Sequence, residues 1–444
     1  MSVSGMTSSI VFVRFVLTFA ESGAVTEPGW SRHGFPDAVP TRDPYGLPTL
    51  PGTSVAGALR AWVRRSLGED VALRWFGHVT RGTNEKVASP VQVLGVVQAG
   101  DQGIEVVERR RTRIDRARGA ADNRTLRHEQ LLAPGTAFEV FVRLDQVVDP
   151  VEFADVVATW QPVLGRGATS GQGRCDVSDV HHGTIDLSTD DGLGVWLALD
   201  GPELVRTVAT TPVQVGAVGE RPTIRVPFTV RGPLHVGTGA PDDPSAEHQV
   251  ARTWRRAGSP AIPASSWRGV IRSRIEFILR SVGAQACTDG RCGTCWTCKV
   301  FGHGGGLDEK AAGVGLRGRL RFTDAVLENV QVARRTHVAI DRFTGGASDG
   351  LLYVVEGVEH AASSLVIEPD EKLETEQLEA FRAMLRLVAE DLNDGVIGVG
   401  GHVTRGYGGV RLDVAVAEAD GTLPSLAAAR ELVADRFAGG TEVV

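Results

Sequence analysis

The chain has 444 residues, of which 42% are hydrophobic and 23% charged, and its formal net charge at pH 7 is −7. This length can accommodate two or three domains with full cores, and the composition excludes a disordered or fibrous protein. The apolar run from Ile10 to Phe19 is too short to span a bilayer and contains Arg14, so we expect a buried strand there and no membrane partner. With five cysteines and no signal peptide, the expected location is the cytoplasm, where thiols stay reduced.

The negative net charge argues against a nucleic-acid partner, because binding to phosphates is largely electrostatic. The basic residues are nevertheless segregated. Six arginines between residues 109 and 118 face only Glu108 and Asp115, and six more lie between residues 252 and 274, a stretch without acids. Such clusters can follow a phosphate backbone whatever the net charge. A GC-rich genome explains the preference for arginine over lysine equally well.

Four motifs occur twice in the same order along the chain, with a slowly growing offset. They are a Pro-Gly-Thr-Ser-like element (50–60 and 262–272), Phe-Gly-His (76–78 and 301–303), Ile-Asp-Arg (114–116 and 340–342) and a glycine-rich loop (165–174 and 400–409). Collinear matches of this kind indicate an internal duplication. We therefore expect two domains, 1–206 and 222–444, joined by a linker at 207–221.

Each copy has the same predicted order of elements. An apolar strand, 10–19 or 223–230, is followed by a proline and an amphipathic helix, with Ser54 or Ser266 where a helix cap is expected. After a long middle section come a second amphipathic helix, the glycine loop and a short strand. This order predicts an α+β fold with two tandem ferredoxin-like domains, an architecture shared by RNA-recognition (RRM-like) proteins.

The arginines and the glycine loops are the candidate RNA-binding elements. Glycines permit positive φ and the close approach of another backbone, and successive N–H groups of such a loop can bind phosphate oxygens. A solvated charged hairpin and simple turns are the alternatives. The candidate RNA-binding residues are Arg60, Arg268 and Arg272 of the first helices, Arg113, Arg116 and Arg342 of the Ile-Asp-Arg segments, and Arg166, Thr169, Thr404 and Arg405 of the loops.

Four of the five cysteines, Cys287, Cys292, Cys295 and Cys298, are close together in the second copy. Four thiolates at this spacing suit a tetrahedral Zn²⁺, with an iron–sulfur cluster as the alternative. The second copy is longer than the first between the flanking motifs, and the cysteines lie in that interval. We therefore expect an insertion with a structural zinc ion, and we expect the lone Cys175 to pack in a core.

Together, the helix-start element, the Phe-Gly and Ile-Asp-Arg motifs and the terminal glycine loop resemble the RAMP superfamily, specifically the Csm/Cmr-type backbone subunits of type III CRISPR effector complexes. The resemblance covers nearly the whole chain, twice. It implies a double backbone subunit of ferredoxin-like domains, each with a thumb hairpin. It also implies that the partners are crRNA, target RNA and other effector subunits, in antiviral defence.

The resemblance further implies that target RNA is cleaved in a reaction that needs Mg²⁺ or Mn²⁺ and an aspartate in the loop before the helix-start element. Asp37 has this place in the first copy. In the second copy Glu247 or His248 stands there, so that copy is expected to be silent unless Asp242 or Asp243 substitutes. A carboxylate can bind a divalent ion or act as general base for attack by the 2′-OH of the RNA.

Three functions are consistent with these residues. The leading hypothesis is a target-RNA endonuclease with Asp37 as the catalytic residue of the first copy. If Asp37 and Asp43 only form turns, the chain is instead a non-catalytic crRNA scaffold. The third is a guide-processing endoribonuclease with a histidine such as His33, against which the two Ile-Asp-Arg segments argue, since the processing enzymes lack thumbs.

Overall fold

The structure is a computed structural model. It describes residues 9–28, 36–79, 86–100, 103–116, 119–123, 125–145, 148–216, 222–238, 250–304 and 315–438. The chain forms two compact units. The first unit comprises Met1–Arg109, His128–Ala168 and Gln172–Gly219, and the second unit comprises Arg110–Arg127, Thr169–Gly171 and Glu220–Val444, as far as each range is described. The Ile-Asp-Arg segment of the first copy therefore groups with the second unit, although the sequence predicted it as part of the domain 1–206.

The first half of the chain consists of strands with a smaller number of helices between them. Its strands are β1 (Ser9–Phe19), β2 (Thr26–Pro28), β3 (Ala38–Pro40), β4 (His78–Val79), β5 (Lys86–Val87), β6 (Val91–Gln98), β7 (Val106–Arg111), β8 (Ile114–Asp115), β9 (Ala120–Ala121), β10 (Arg127–Leu132), β11 (Ala137–Leu144), β12 (Cys175–Asp186) and β13 (Thr211–Pro212). Its helices are α1 (Gly52–Leu67), α2 (Glu69–Phe76), α3 (Pro150–Ala158), α4 (Asp190–Ala198) and α5 (Gly201–Val208).

The main sheet of the first unit has the strand order β13-β12-β1-β11-β6, and all neighbouring strands are antiparallel. Apart from the edge strand β13, the main elements are β1, α1, β6, β11, α3 and β12 in chain order. This is the β-α-β-β-α-β sequence of a ferredoxin-like domain, with the first strand between the third and the last. The predicted fold of the first copy is confirmed.

Strand β1 separates two apolar clusters, because successive side chains of a strand point to opposite faces. Val13, Phe15, Leu17 and Phe19 pack with residues of α1 and α3 on one face. Phe12 packs on the other face with residues of α5. Helices α4 and α5 were not predicted, and α5 and β13 occupy part of the stretch 207–221 that was expected to be a linker.

The second half of the chain has longer elements. Its strands are β14 (Ile224–Leu234), β15 (Val250–Ala251), β16 (Arg255–Arg256), β17 (Ser259–Ile262), β18 (Gly302–His303), β19 (Leu316–Arg317), β20 (Leu320–Phe322), β21 (Ala325–Val326), β22 (Glu328–Ile340), β23 (Ala347–Pro369) and β24 (Val410–Leu412). Its helices are α6 (Ala264–Ser281), α7 (Trp296–Phe301), α8 (Thr375–Asn393), α9 (Val414–Ala419) and α10 (Leu426–Phe437). Among the described helices of the whole chain, none has the length and apolarity needed to cross a membrane.

The second unit repeats the topology of the first. Strand β14 lies between β24 and β23, and β23 pairs on its other side with β20 and β22, all antiparallel. The short strand β15 adds a parallel pairing to β23. Helices α6 and α8 contribute Trp267, Ile271, Phe381 and Leu385 to a core that also contains residues of β14 and β23. The second ferredoxin-like domain is therefore confirmed as well.

The first helix of each copy begins two residues before its predicted serine cap. Pro51 and Pro263 occupy the cap positions of α1 and α6, and neither makes a side-chain cap hydrogen bond. In α6 the N–H of Ala264 donates instead to Oδ1 of Asp324 at 2.7 Å. A carboxylate from beyond β20 thus satisfies a helix N–H group that has no partner inside the helix. The serine caps were a wrong prediction.

Candidate metal centre and nucleic-acid interface

The four clustered cysteines converge at the start of α7, with all Sγ atoms within 4.8 Å of one another. The Sγ atom of Cys287 is 3.5 Å from that of Cys298 and 3.7 Å from that of Cys295, and Cys292 Sγ is 3.9 Å from Cys298 Sγ. Sulfurs at about 2.3 Å from a tetrahedral zinc are about 3.8 Å apart. The cluster therefore has the dimensions of a tetrathiolate metal site. The fifth cysteine, Cys175, is buried in the core of the first unit.

The surroundings shift the pKa values of the cysteines in different directions. Hydrogen bonding with the Cys298 side chain lowers the pKa of Cys295 to about 3, and the same interaction raises the pKa of Cys298. Burial raises the pKa of Cys287. Four ionised thiolates this close together repel one another and need a positive ion between them. A donor set of sulfur alone suits Zn²⁺ or an iron–sulfur cluster and does not suit Mg²⁺.

A buried ionic network adjoins the cysteines. Arg272 of α6 is 6% exposed and donates from Nε to Oε1 of Glu276 at 2.8 Å and from Nη2 to Sγ of Cys298 at 3.4 Å. Glu276 is fully buried, and this burial raises its pKa. Its second oxygen, Oε2, lies 2.5 Å from Nη1 of Arg116. Burial also lowers the pKa of Arg268, the next basic residue of the network, to about 10.

The charges of this network match those of a tetrathiolate centre. Four thiolates around a divalent ion leave two negative charges in excess. The three guanidinium groups of Arg116, Arg268 and Arg272, set against the carboxylate of Glu276, leave two positive charges. With a divalent ion in place the charges of these eight side chains and the ion would sum to zero, which would lower the cost of burying them.

Three of the predicted RNA-binding residues, Arg116, Arg268 and Arg272, therefore point towards this interior network. Arg268 Nη2 donates to the carbonyl oxygen of Phe301, and Arg272 Nη1 donates to that of Gly302 at 2.8 Å. Arg272 was predicted as an RNA contact on an amphipathic helix, but it shares the buried side of α6. An RNA contact by these three residues remains a prediction.

The Ile-Asp-Arg segment of the first copy forms the small hairpin β8–β9, in which Ile114 pairs with Ala121 and Asp115 with Ala120. The N–H of Asp122 donates to the carbonyl oxygen of Arg113 at 2.8 Å. Arg113 is half-buried, with Nε 3.6 Å from Oδ2 of Asp122. The predicted hairpin of the first copy is present.

The second copy has a longer hairpin, β22–β23. At its turn the Asp341 carboxylate accepts the N–H groups of Phe343 and Thr344 at 2.9 and 2.8 Å, and these hydrogen bonds lower the pKa of Asp341. The aspartate of the motif therefore shapes the turn. Arg342 is exposed beside it, and Phe343 is 99% exposed. The tip thus presents a cation and an aromatic ring, which are the two groups that bind phosphates and stack on bases.

The glycine loops are packed closely against the protein's own backbone. Gly165, Gly173, Gly400 and Gly408 all have positive φ, and a Cβ atom at any of them would collide with a carbonyl oxygen of the same unit. Gly406 also has positive φ, +81°, but a Cβ there would meet nothing within 4 Å. The close approach that the glycines permit is therefore intramolecular at four positions, and Gly406 alone of these five faces open space.

The remaining predicted residues lie at or near the surface. Arg166 of the first loop is exposed, as are Thr404 and Arg405, which belong to a 3₁₀ turn of the second loop. Thr169 is half-buried, and its carbonyl oxygen accepts the N–H of Phe322 at 3.3 Å. Arg60 is half-buried on α1.

An aromatic and histidine cluster that was not predicted lies beside the second glycine loop. The rings of His337 and Tyr353 are stacked with centroids 5.2 Å apart, and His337 Nε2 is 2.9 Å from the Tyr407 hydroxyl. His402 lies 5.6 Å from the Tyr407 ring, and burial lowers the pKa of His402. The Arg405 guanidinium lies 5.6 Å from the Tyr353 ring centre. Only His402 and Tyr407, inside the glycine motif, gave a sequence signal, since His337 and Tyr353 come from the strands β22 and β23.

Asp37 is exposed immediately before β3. Its backbone N–H donates to the carbonyl oxygen of His128 at 2.6 Å, and its Oδ2 accepts the N–H of His128 at 2.7 Å. The His128 side chain is in turn 3.0 Å from Oε2 of Glu108. In the described part of the chain, the cysteine cluster is the one group of three or more potential ligand residues that could hold a metal ion. His33 and the candidates Asp242, Asp243, Glu247 and His248 lie outside the described residues.

Two ferredoxin-like domains, each with a hairpin and a glycine loop, define a tandem α+β protein with an added tetracysteine site. The sequence matches the RAMP superfamily over residues 11–176 and 227–411, one match to each copy. These regions make up more than half of the chain, which therefore belongs to the RAMP superfamily. Proteins of this family are CRISPR-associated and bind RNA and other CRISPR subunits. No curated protein matches the chain.

Proposed function

We propose that this chain is a crRNA-binding backbone subunit of a type III CRISPR effector complex, which cleaves target RNA in antiviral defence in the cytoplasm. The observation that carries the proposal is the duplication of a complete unit. Both copies have a ferredoxin-like sheet, and each has a hairpin at its Ile-Asp-Arg motif and a glycine loop before the strand, β12 or β24, that pairs with its first strand. Repeated equivalent surfaces suit a subunit that lines a polymer, whereas a guide-processing enzyme requires a single cleavage site.

Exposed residues of the loops and of the second hairpin are the best-placed RNA contacts. Arg166, Arg342, Thr404 and Arg405 are all exposed. Arginine binds phosphates through a planar fork of donors, and a fully exposed ring such as Phe343 can stack on a base. The half-buried residues Arg60, Arg113 and Thr169 also reach the surface and are assigned the same role.

The metal of the cysteine cluster is, in this proposal, a structural Zn²⁺. The sulfur-only donor set, the spacing of the Sγ atoms and the balancing charges support it. All four protein ligands are accounted for, so no coordination position is left for substrate. If metal analysis found iron and the absorption spectrum showed a charge-transfer band, the site would be assigned to an iron–sulfur cluster instead of zinc.

Target cleavage is assigned to Asp37. One oxygen of its carboxylate accepts the His128 N–H, which fixes the side chain, and the other can accept the proton of an RNA 2′-OH. The 2′-oxygen then attacks the adjacent phosphorus and the bond to the 5′-oxygen of the next nucleotide breaks, which leaves a 2′,3′-cyclic phosphate and a 5′-oxygen that takes a proton from water. A divalent Mg²⁺ or Mn²⁺ bound beside Asp37 would stabilise the charge that develops on the phosphate.

The test replaces Asp37 by asparagine in the assembled complex, because asparagine preserves the hydrogen bond from His128 and removes the negative charge. We expect cleavage beside the first copy to slow by about 10² or more. The matched control is Asp43→Asn, since Asp43 accepts the N–H groups of Tyr45 and Leu47 in a neighbouring turn. Equal cleavage by the Asp37→Asn variant and the native complex would leave the chain a non-catalytic scaffold.

A further inference from the structure

The segment Arg110–Arg127 of the first copy belongs to the second unit, and arginine side chains fasten it to the loop between the first two cysteines. Arg116 Nη1 donates to the carbonyl oxygen of Thr288 at 3.1 Å, and Arg113 Nη2 donates to that of Asp289 at 3.2 Å. Thr288 and Asp289 follow Cys287 directly in the sequence. The hairpin β8–β9 is therefore bound by two carbonyl groups of the cysteine loop.

A second connection runs through buried side chains. Arg116 and Arg272 contact the two oxygens of the Glu276 carboxylate, at 2.5 and 2.8 Å. Arg272 also donates to the Sγ atom of Cys298. A continuous series of polar contacts thus leads from a metal ligand to the side chain of Arg116, within one unit. Removing one member would leave a buried charge without its partner, which is costly.

The cysteine loop has no regular secondary structure of its own to hold these carbonyl groups in place. Residues 284–295, between α6 and α7, contain neither helix nor strand. In small cysteine-rich loops the metal supplies the folding free energy that a hydrogen-bonded ladder would otherwise provide. The positions of the Thr288 and Asp289 carbonyl groups therefore depend on the cysteines being joined by a metal ion.

From these contacts we propose that metal binding by Cys287, Cys292, Cys295 and Cys298 fixes the β8–β9 hairpin of the first copy. Arg113 and Arg116 are then positioning residues that couple the metal centre to the hairpin. The inference goes beyond the proposed function and does not depend on it, because the contacts exist whatever the hairpin binds. In this proposal the cysteine insertion of the second copy has a structural role, because it orders the β8–β9 hairpin, which belongs to the first copy.

The first test measures amide hydrogen exchange in the full-length protein, with its metal content determined by mass spectrometry. Cys292→Ser removes the exposed ligand and leaves the buried cysteines in place. We expect exchange of the 110–123 amides to accelerate at least tenfold on metal loss. The hairpin β22–β23 serves as the internal control and should keep its protection. Unchanged exchange at 110–123 after confirmed metal loss would overturn the inference.

The second test uses the reciprocity of coupled equilibria and remains decisive if the metal-free protein unfolds further. If the metal orders the hairpin, hairpin contacts must raise metal affinity by the same factor, and such couplings are typically about 5- to 150-fold. Arg113→Gln and Arg116→Met should therefore weaken zinc binding in competition with a chelator. The control is Arg335→Gln, whose guanidinium pairs with Glu359 on the other hairpin. Native affinity in both hairpin variants would contradict the coupling.

Discussion

At the scale of single residues, Glu276 decides whether two arginines can be held beside the cysteine cluster. Its carboxylate is fully buried and contacts Arg116 and Arg272. Burial raises the pKa of Glu276, whereas the hydrogen bond from Arg272 and the positive charge of Arg116 act in the opposite direction and favour the ionised form. The interaction is therefore structural, and its loss leaves the buried Arg272 without its carboxylate partner.

Replacing Glu276 by alanine should lower the free energy of unfolding of the second unit by about 3–5 kcal/mol, the usual result of removing one partner of a buried ion pair. Chemical denaturation followed by tryptophan fluorescence measures the change. Glu379→Ala, on the exposed face of α8, is the control and should have an effect of less than about 0.5 kcal/mol. Similar effects of the two substitutions would show that the network contributes nothing.

The sequence was sufficient to predict the cysteine cluster but not the network around it. Four cysteines within one short segment must lie close together, so their spacing alone indicates a metal site. The role of Arg272 depends on Glu276 one helical turn away and on Arg116, 156 positions earlier in the numbering. A long-range contact of this kind leaves no local pattern, and arginine clusters therefore suggested RNA contact where the structure has an interior network.

At the scale of elements, the glycine loops combine internal packing with an open face. Gly400 has φ of +92°, and a side chain there would collide with the carbonyl oxygen of His235. Gly406 has a similar φ but has open space where a Cβ would lie. Substitutions at these two glycines can therefore distinguish a role in packing within the fold from a role in contact with a ligand.

Gly400→Ala should destabilise the second unit strongly, because backbone atoms must move, and RNA binding should be lost together with stability. Gly406→Ala should lower the free energy of unfolding by only about 1–2 kcal/mol, the strain of an alanine in the left-handed region. Its added methyl group should nevertheless weaken RNA binding, although the protein stays folded. Thermal unfolding and filter binding of guide RNA measure the two effects. Full RNA affinity in a stable Gly406→Ala variant would exclude backbone contact at this glycine.

Most elements of the repeated core were predictable, since alternating and helical apolar patterns identify the strand and helices around each proline and glycine motif. Their exact starts were not, because Asp324 rather than a serine satisfies the N–H of Ala264 in α6. Helices α4 and α5 were also missed. In α4 no residue is fully buried, so its apolar pattern carries little information. Local sequence patterns thus identify the repeated core elements of the two copies better than the helices that are added to that core.

At the scale of the whole molecule, the duplication is the feature from which the functional proposal follows. Both copies contain a ferredoxin-like sheet and both match the same family, so each should contribute an equivalent RNA-binding surface. The copies differ in their additions. The tetracysteine site belongs to the second copy, and the candidate catalytic aspartate belongs to the first.

Ultraviolet cross-linking of the chain to the RNA in its assembled complex, with the attachment sites mapped by mass spectrometry, is the sharpest test of the proposed function. We expect cross-links to guide RNA in both copies, near Arg166 in the first loop and near Phe343 and Arg405 in the second copy. Cross-links confined to one copy, or a complex that protects no RNA along this chain, would contradict it.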